Sequence, residues 1–402
     1  MNAGSPRPLQ GIRVIELGSL IAGPFAAKTL GEFGADVIKI EPPGMGDPLR
    51  SWRTPAGGGE SMWWHVQSRN KRSVALDLRQ PEGQELVRRL AAEADVLIEN
   101  FRPGTLEQWG LDFETLSSLN PRLIMLRISG YGQTGPLRDL PGFGVIAEAM
   151  GGLRHITGTP GQPPVRPGIS IGDSLAALHG VIGVLMALYH RDARGGCGQV
   201  VDVALFEAVF NMMEGALPEF DRYRMVRQPA GSALPGVAPT NAYPCEDGRY
   251  VLIAGNGDSI FRRLMHLIGR EDLGGDPRLA SNPGRVGHMA TIDAAIARWT
   301  RQRGLDEALH ALAAARIPAG KIYTIEDIAG DPHYQERDML RTIQLRDGSQ
   351  LQVPGVVPKL SRTPGGFEGG GPGLGEHTDE VLRSTGLSES SLADLRDKGV
   401  IA

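Results

Sequence analysis

The feature that most constrains this 402-residue chain is the alternation, through its first half, of short β-branched runs with stretches of helical period. That pattern is the mark of an α/β fold, in which helices cover a buried sheet. Strands are expected at 12–17, 37–40, 73–78, 96–98, 123–128 and 200–203. A helix is expected over 22–33, and another from Pro81, a residue suited to a first helical position, with Leu86, Val87, Leu90 and Ala94 on one face. A long helix should run from about Ser174 to His190, with Leu175, Leu178, Ile182, Leu185 and Leu188 on overlapping faces, and a further helix should end near Met213. The pattern turns irregular and rich in Arg, Gly and Pro over 218–239, which marks a boundary. Beyond it the chain predicts a strand at 250–253 and helices over 259–268, 291–300 and 305–315. A return connection at 331–339, an apolar run at 353–357 and a short helix at 378–385 complete the pattern.

The length exceeds what one ordinary core fills, so a large and a smaller domain are expected. The net charge of −4, with neither sign gathered into long runs, argues against a nucleic-acid partner, which needs a basic face. Two cysteines, Cys197 and Cys245, suggest neither a disulfide framework nor a metal site, and a cytoplasmic location fits them. The opening MNAGSPRPLQ lacks the apolar core of a signal peptide. The apolar stretch at 175–189 reads as too short for a bilayer and as a buried helix, so no membrane partner is expected.

Single motifs leave alternatives open. GYGQTG at 130–135 matches a dinucleotide fingerprint, but Pro136, Arg138, Asp139 and Pro141 follow where a helix must start to hold a pyrophosphate. A G-x-x-x-x-G-K-[ST] phosphate loop is absent, and the histidines show no ligand spacing, so no metal is expected. Asp173 lies before the long helix, where a carboxylate is either an N-cap or a group kept ionised for chemistry; position alone does not separate the two. Lys39 at a strand end, with Arg69, Lys71 and Arg72 nearby in pattern, suits either a phosphate-bearing ligand or plain solvation. AGNGD at 254–258 reads as a strand-to-helix turn or a mobile lid.

Several longer segments occur in one order: IRVIELGSLIAGPFAAKTLGEFGADVIKIEPPGMGDPLR, RNKRSVALDL, ADVLIENFRPG, SGYGQTGP, RPGISIGD, GQVVDVALFEAV, DPHYQERDML and GPGLGEHTDEVL. Together they resemble the class III CoA-transferases, the CaiB/BaiF or formyl-CoA transferase-like family, with a feel of the succinyl-CoA:dicarboxylate enzymes. The resemblance implies a Rossmann-like α/β domain built from both chain ends, with a smaller α+β domain inserted, and an interlocked homodimer. On this chain that places the large domain at 1–217, the small one at 218–330 and the returning part at 331–402. It further implies Asp173 as nucleophile and Leu20, Ala22, Lys39, Arg72, Asn100, Phe101 and Arg102 as CoA contacts. Gly255, Asn256 and Gly257 match the family's glycine lid, with fewer consecutive glycines. Racemases of the family carry a His-Asp pair where this chain has Phe143 and Gly144, neither of which carries a proton, and the pattern of formyl-CoA transferase is half kept there.

The chemistry so implied is nucleophilic acyl exchange, with coenzyme A as a substrate and no permanently bound cofactor. Succinyl-CoA is the expected donor and a small dicarboxylic acid the acceptor, with Arg154 and Arg166, which flank the Asp173 segment, as candidate clamps for a remote carboxylate. Two other readings stand beside it: an acyl-CoA racemase or isomerase, and a CoA-binding protein without catalysis.

Overall fold

The computed structural model describes residues 7–54 and 59–402. The chain divides into two compact units: Met1–Leu153, Pro167–Glu214 and His333–Ala402 form the first, and Arg154–Arg166 with Gly215–Pro332 the second. These borders stand a few residues from the expected 217/218 and 330/331. The excursion Arg154–Arg166 has no counterpart in the sequence reading, because its Gly- and Pro-rich stretch carries no periodicity.

In the first unit six strands pair in parallel: β1 (Arg13–Glu16), β2 (Asp36–Glu41), β3 (Lys71–Ala75), β4 (Val96–Glu99), β5 (Ile124–Ser129) and β6 (Val200–Ala204). Their order is β3-β2-β1-β4-β5-β6, with Val14 opposite Val37 and Val96. Successive strand residues point to opposite faces, so Ile15, Ile38 and Leu97 join one core and Val14, Val37 and Val96 the other. Both faces of β1, β2, β4 and β5 are thus covered, which is why apolar residues stand side by side in them, as in Val14-Ile15 and Val96-Leu97-Ile98, rather than alternating with polar ones; β6 is largely exposed. The helix Pro81–Ala92 covers the first face, with Pro81 at its first position; Ala22–Glu32 and Ile171–Ala193 cover the second. β3 begins at Lys71 rather than 73 because its two opening cations are neutralised, Lys71 by Glu16 and Arg72 by Asp36.

The long helix starts at Ile171, three residues earlier than its pattern suggested, and reaches Ala193. Its 23 residues and mean hydropathy make it long and apolar enough to cross a membrane by length and composition, which corrects the expectation that it is too short. It packs instead on the sheet through small residues. Gly180 and Gly183 leave no room for a Cβ, which would stand 2.8 Å from a Leu126 methyl and 2.5 Å from one of Val201.

The chain end returns to the first unit. Helices Thr378–Ser384 and Glu389–Asp397 place Val381, Leu382 and Leu392 in the first core, and Leu76 bridges Ile401. The last helix escaped the sequence reading, since Leu392 is its one buried residue. The second unit has its own core, around Phe261, Leu264, Ile292 and Leu312, under the antiparallel sheet β7 (Thr240–Pro244), β8 (Tyr250–Ala254) and β9 (Ala319–Lys321). In the stretch read as irregular, Ala216–Tyr223 is a helix; Pro218 is tolerated because it sits in the first turn, where no N–H partner is needed. Back in the first unit, β10 (Leu340–Gln344) and β11 (Gln350–Pro354) form a hairpin.

Candidate active site

A parallel sheet opens a crevice beyond its strand C-termini where its order reverses, here between β1 and β4. A cleft of about 250 Å³ lies there. The segments 19–22, 100–103, 128–130 and 140–143 line it together with Asp173 and Leu205, and all belong to the first unit.

Each wall is fixed by its own sequence. After β1, the Asn100 side chain accepts from Ser19 N at 2.8 Å and donates to Ser19 O at 2.9 Å, tying the first loop to the end of β4. Gly18 is required, since a Cβ would lie 2.9 Å from Asn100 Oδ1. The loop after β5 folds back until Gly130 and Gly142 lie backbone to backbone, where a Cβ on Gly130 would meet the other's Cα at 2.8 Å. No helix begins between Gly130 and Phe143, so this glycine loop lacks the helix N-terminus on which a pyrophosphate would rest.

Asp173 enters as the third residue of the long helix, one turn inside Ser170, so it is not the N-cap that one reading of the sequence offered. Gly172 packs against the Gly144 backbone, and the Asp173 carboxylate occupies the space a Cβ on Gly144 would need: that atom would overlap Oδ2 and stand 2.8 Å from Cγ. Asp173 is half-buried, and its carboxylate lies in the N-terminal turn of a 23-residue helix, near the positive end of the helix dipole. The site therefore presents a carboxylate oxygen at the wall of a partly apolar cleft, the disposition that nucleophilic attack on an acyl carbonyl needs.

At the end of β4, Glu99 is buried, and burial pushes its carboxyl up to about 7, although Arg127 Nε donates to it at 2.7 Å and Phe101 N at 2.7 Å. These contacts hold Phe101 against the cleft, while Arg102 stands exposed at its wall.

Of the residues singled out from sequence, Leu20, Ala22, Asn100, Phe101, Arg102 and Asp173 come together in this cleft. Lys39 and Arg72 do not line it. Lys39 is 1% exposed and ion-paired with Glu16 and Asp47, each at 2.8 Å. Arg72 grips Asp36 with two nitrogens and Glu380 with the third. Arg154 and Arg166 belong to the second unit, as do Gly255, Asn256 and Gly257. The last three are held down: buried Arg285 donates to Asn256 O at 2.6 Å and to Asp258 Oδ1 at 2.7 Å. Sequence reasoning gave no site role to Ser19, Ser129 and Leu205, although each lies in one of the segments that carry the resemblance, and valued Gly144 only for the proton it cannot carry.

Comparison with known proteins gives concordant results. The sequence matches the family described as CoA-transferase family III over residues 9–378. It is 49% identical over 397 residues to the succinyl-CoA–D-citramalate CoA-transferase of Chloroflexus aurantiacus, covering 98% of each chain. It is 45% identical to the β subunit of the succinyl-CoA–L-malate CoA-transferase of the same organism, again covering 98% of each. Among solved structures, the crystal structure of a CaiB/BaiF family protein from Brucella suis matches with a TM-score of 0.82 at 35% identity, covering 94% of this chain and all of that one.

Proposed function

The chain belongs to CoA-transferase family III, and from that premise we propose that it transfers coenzyme A from succinyl-CoA to a small dicarboxylic acid, with Asp173 carrying the acyl group. The observation that carries this reading is the Asp173 carboxylate at the wall of the sheet-end cleft, seated in the space left by Gly144. The activities for which the two relatives are named, both from succinyl-CoA to a dicarboxylate, support the substrate class.

The steps balance without an external energy source. An Asp173 oxygen attacks the thioester carbonyl of succinyl-CoA; the C–S bond breaks, leaving a mixed anhydride and CoA thiolate. The thiolate attacks the aspartyl carbonyl of that anhydride, which forms an aspartyl-CoA thioester and releases succinate. The acceptor carboxylate then attacks the aspartyl thioester and expels the thiolate, giving a second anhydride. Thiolate attack on the acceptor's carbonyl yields the new acyl-CoA and frees Asp173. No net proton is taken up, and thioester energy is kept throughout. Two of the three covalent intermediates are anhydrides, so water must be kept from the cleft.

A cytoplasmic location and a homodimer belong to the same proposal.

The deciding experiment incubates the protein with succinyl-CoA and a panel of acids (D-citramalate, L-malate, itaconate, glutarate, butyrate) and quantifies the acyl-CoA products by chromatography. Exchange should favour dicarboxylates, vanish in Asp173→Ala, and leave a hydroxylamine-sensitive adduct on residue 173 of the unaltered protein. Undiminished exchange by Asp173→Ala would refute the mechanism, and equal turnover of butyrate would refute the acceptor class.

A further inference from the structure

Leu20 lines the cleft with a φ of 65°, the left-handed region that a residue with a branched side chain enters only when its surroundings hold it there. Three side chains do so. Asp47 accepts from Leu20 N through both oxygens, at 3.1 and 3.2 Å, and from Leu49 N at 2.9 Å. Lys39 Nζ donates to Gly18 O at 2.9 Å, besides its ion pairs with Asp47 and Glu16. Asn100 holds both polar groups of Ser19. An ammonium has three N–H donors, and the three acceptors around Lys39 engage all of them, which leaves none for a phosphate.

We propose that Asp47, clamped by Lys39, is a positioning residue: it sets the backbone of residues 18–21 and through that loop the fit of the cleft to the CoA substrate. Lys39 thus acts through Asp47 and Gly18 rather than by touching ligand. Asp47 and Lys39 are 2% and 1% exposed. Burial opposes the ionisation of Asp47, yet the Lys39 ammonium and the Leu49 and Leu20 amides together hold its carboxyl below the usual range. The loop and its clamp lie 27 residues apart in sequence, so only the fold brings them together.

The inference rests on the CoA-transferase reading, and two readouts separate their failures. The first is hydrogen–deuterium exchange of the peptide spanning residues 17–22, which needs no activity. The second is the split between KM for succinyl-CoA, KM for the acceptor and kcat. Asp47→Ala should speed exchange of that peptide at least tenfold and raise KM for succinyl-CoA about tenfold, with the acceptor KM within twofold. Asp47→Asn keeps one oxygen for Leu20 N–H and should shift both readouts in the same direction by about threefold, so it serves if the alanine variant does not fold. Lys39→Met should carry the same loop response. If folded Asp47→Asn shows unchanged loop exchange, or faster exchange with KM for succinyl-CoA within 1.5-fold of the unaltered protein, the positioning role is overturned. If the unaltered protein exchanges no CoA, the transferase reading fails, and the positioning proposal, which rests on it, falls with it; the exchange readout then still decides whether Asp47 holds the loop.

Discussion

Gly144→Ala tests the seat of the carboxylate with a single methyl group. The added Cβ would overlap Asp173 Oδ2 and come within 2.8 Å of Cγ, where ordinary contact begins at 3.4 Å. The carboxylate must therefore retreat by about 1 Å, because the helix that carries Gly144 is itself packed through Ala147 in the core. A nucleophile displaced by about 1 Å loses on the order of 100-fold in rate, which corresponds to roughly 2.7 kcal/mol of barrier. Stability should move the other way. Gly144 has no positive φ and opens a helix, so alanine suits its backbone and should stabilise by about 0.4–1 kcal/mol unless the displaced carboxylate cancels the gain. The assay is the steady-state rate of succinyl-CoA exchange with a dicarboxylate, beside a thermal melt of the same preparation. The expected result is kcat down about 100-fold, KM for succinyl-CoA nearly unchanged, and Tm equal or slightly higher. A kcat within threefold of the unaltered enzyme would refute the placement of Asp173 against Gly144.

Other consequences are equally direct. Because folding raises the Glu99 carboxyl to about 7, the folded chain binds that proton more tightly than the unfolded one; this contribution to stability is full below about pH 4.5 and is lost as pH climbs through 7. Urea midpoints measured across that window should fall with pH in the unaltered protein and less steeply in Glu99→Gln, and parallel curves would contradict it. Arg285→Met should cost the second unit about 3–5 kcal/mol, since Ala238 O, Leu279 O and Asn256 O lose their buried donor; denaturant unfolding measures this, and a loss under 1 kcal/mol would show the arginine to be dispensable. Gly180→Val should destabilise the first unit by about 1–3 kcal/mol through its clash with Leu126, again read from the denaturant midpoint.

Local pattern carried a large part of the architecture. Five of the six parallel strands are buried, and β1, β2, β4 and β5 show in the sequence as compact apolar runs because a strand covered on both faces needs no polar alternation, whereas β6 is largely exposed. The helix at Pro81 starts where a missing N–H does no harm. Elements with little burial were harder to see: β7 has Tyr243 as its one buried residue, and the helix Glu389–Asp397 has only Leu392. A pattern reader senses apolar surface, and these elements bury almost none.

For the site, sequence alone determined which residues end the strands: Leu20 and Ala22 after β1, Asn100 to Arg102 after β4, and an acidic residue at the start of the long helix. Tertiary structure decided what each of them does. A lysine at the end of a strand reads the same whether it meets a ligand or an aspartate, and only packing shows Lys39 enclosed by Glu16, Asp47 and Gly18. The room that Gly144 leaves for Asp173 is likewise a property of two helices brought into contact. Chain periodicity encodes burial, which is local and additive; the partners of a charge and the space beside a carboxylate depend on segments far apart in sequence, so they exist only once the core has closed.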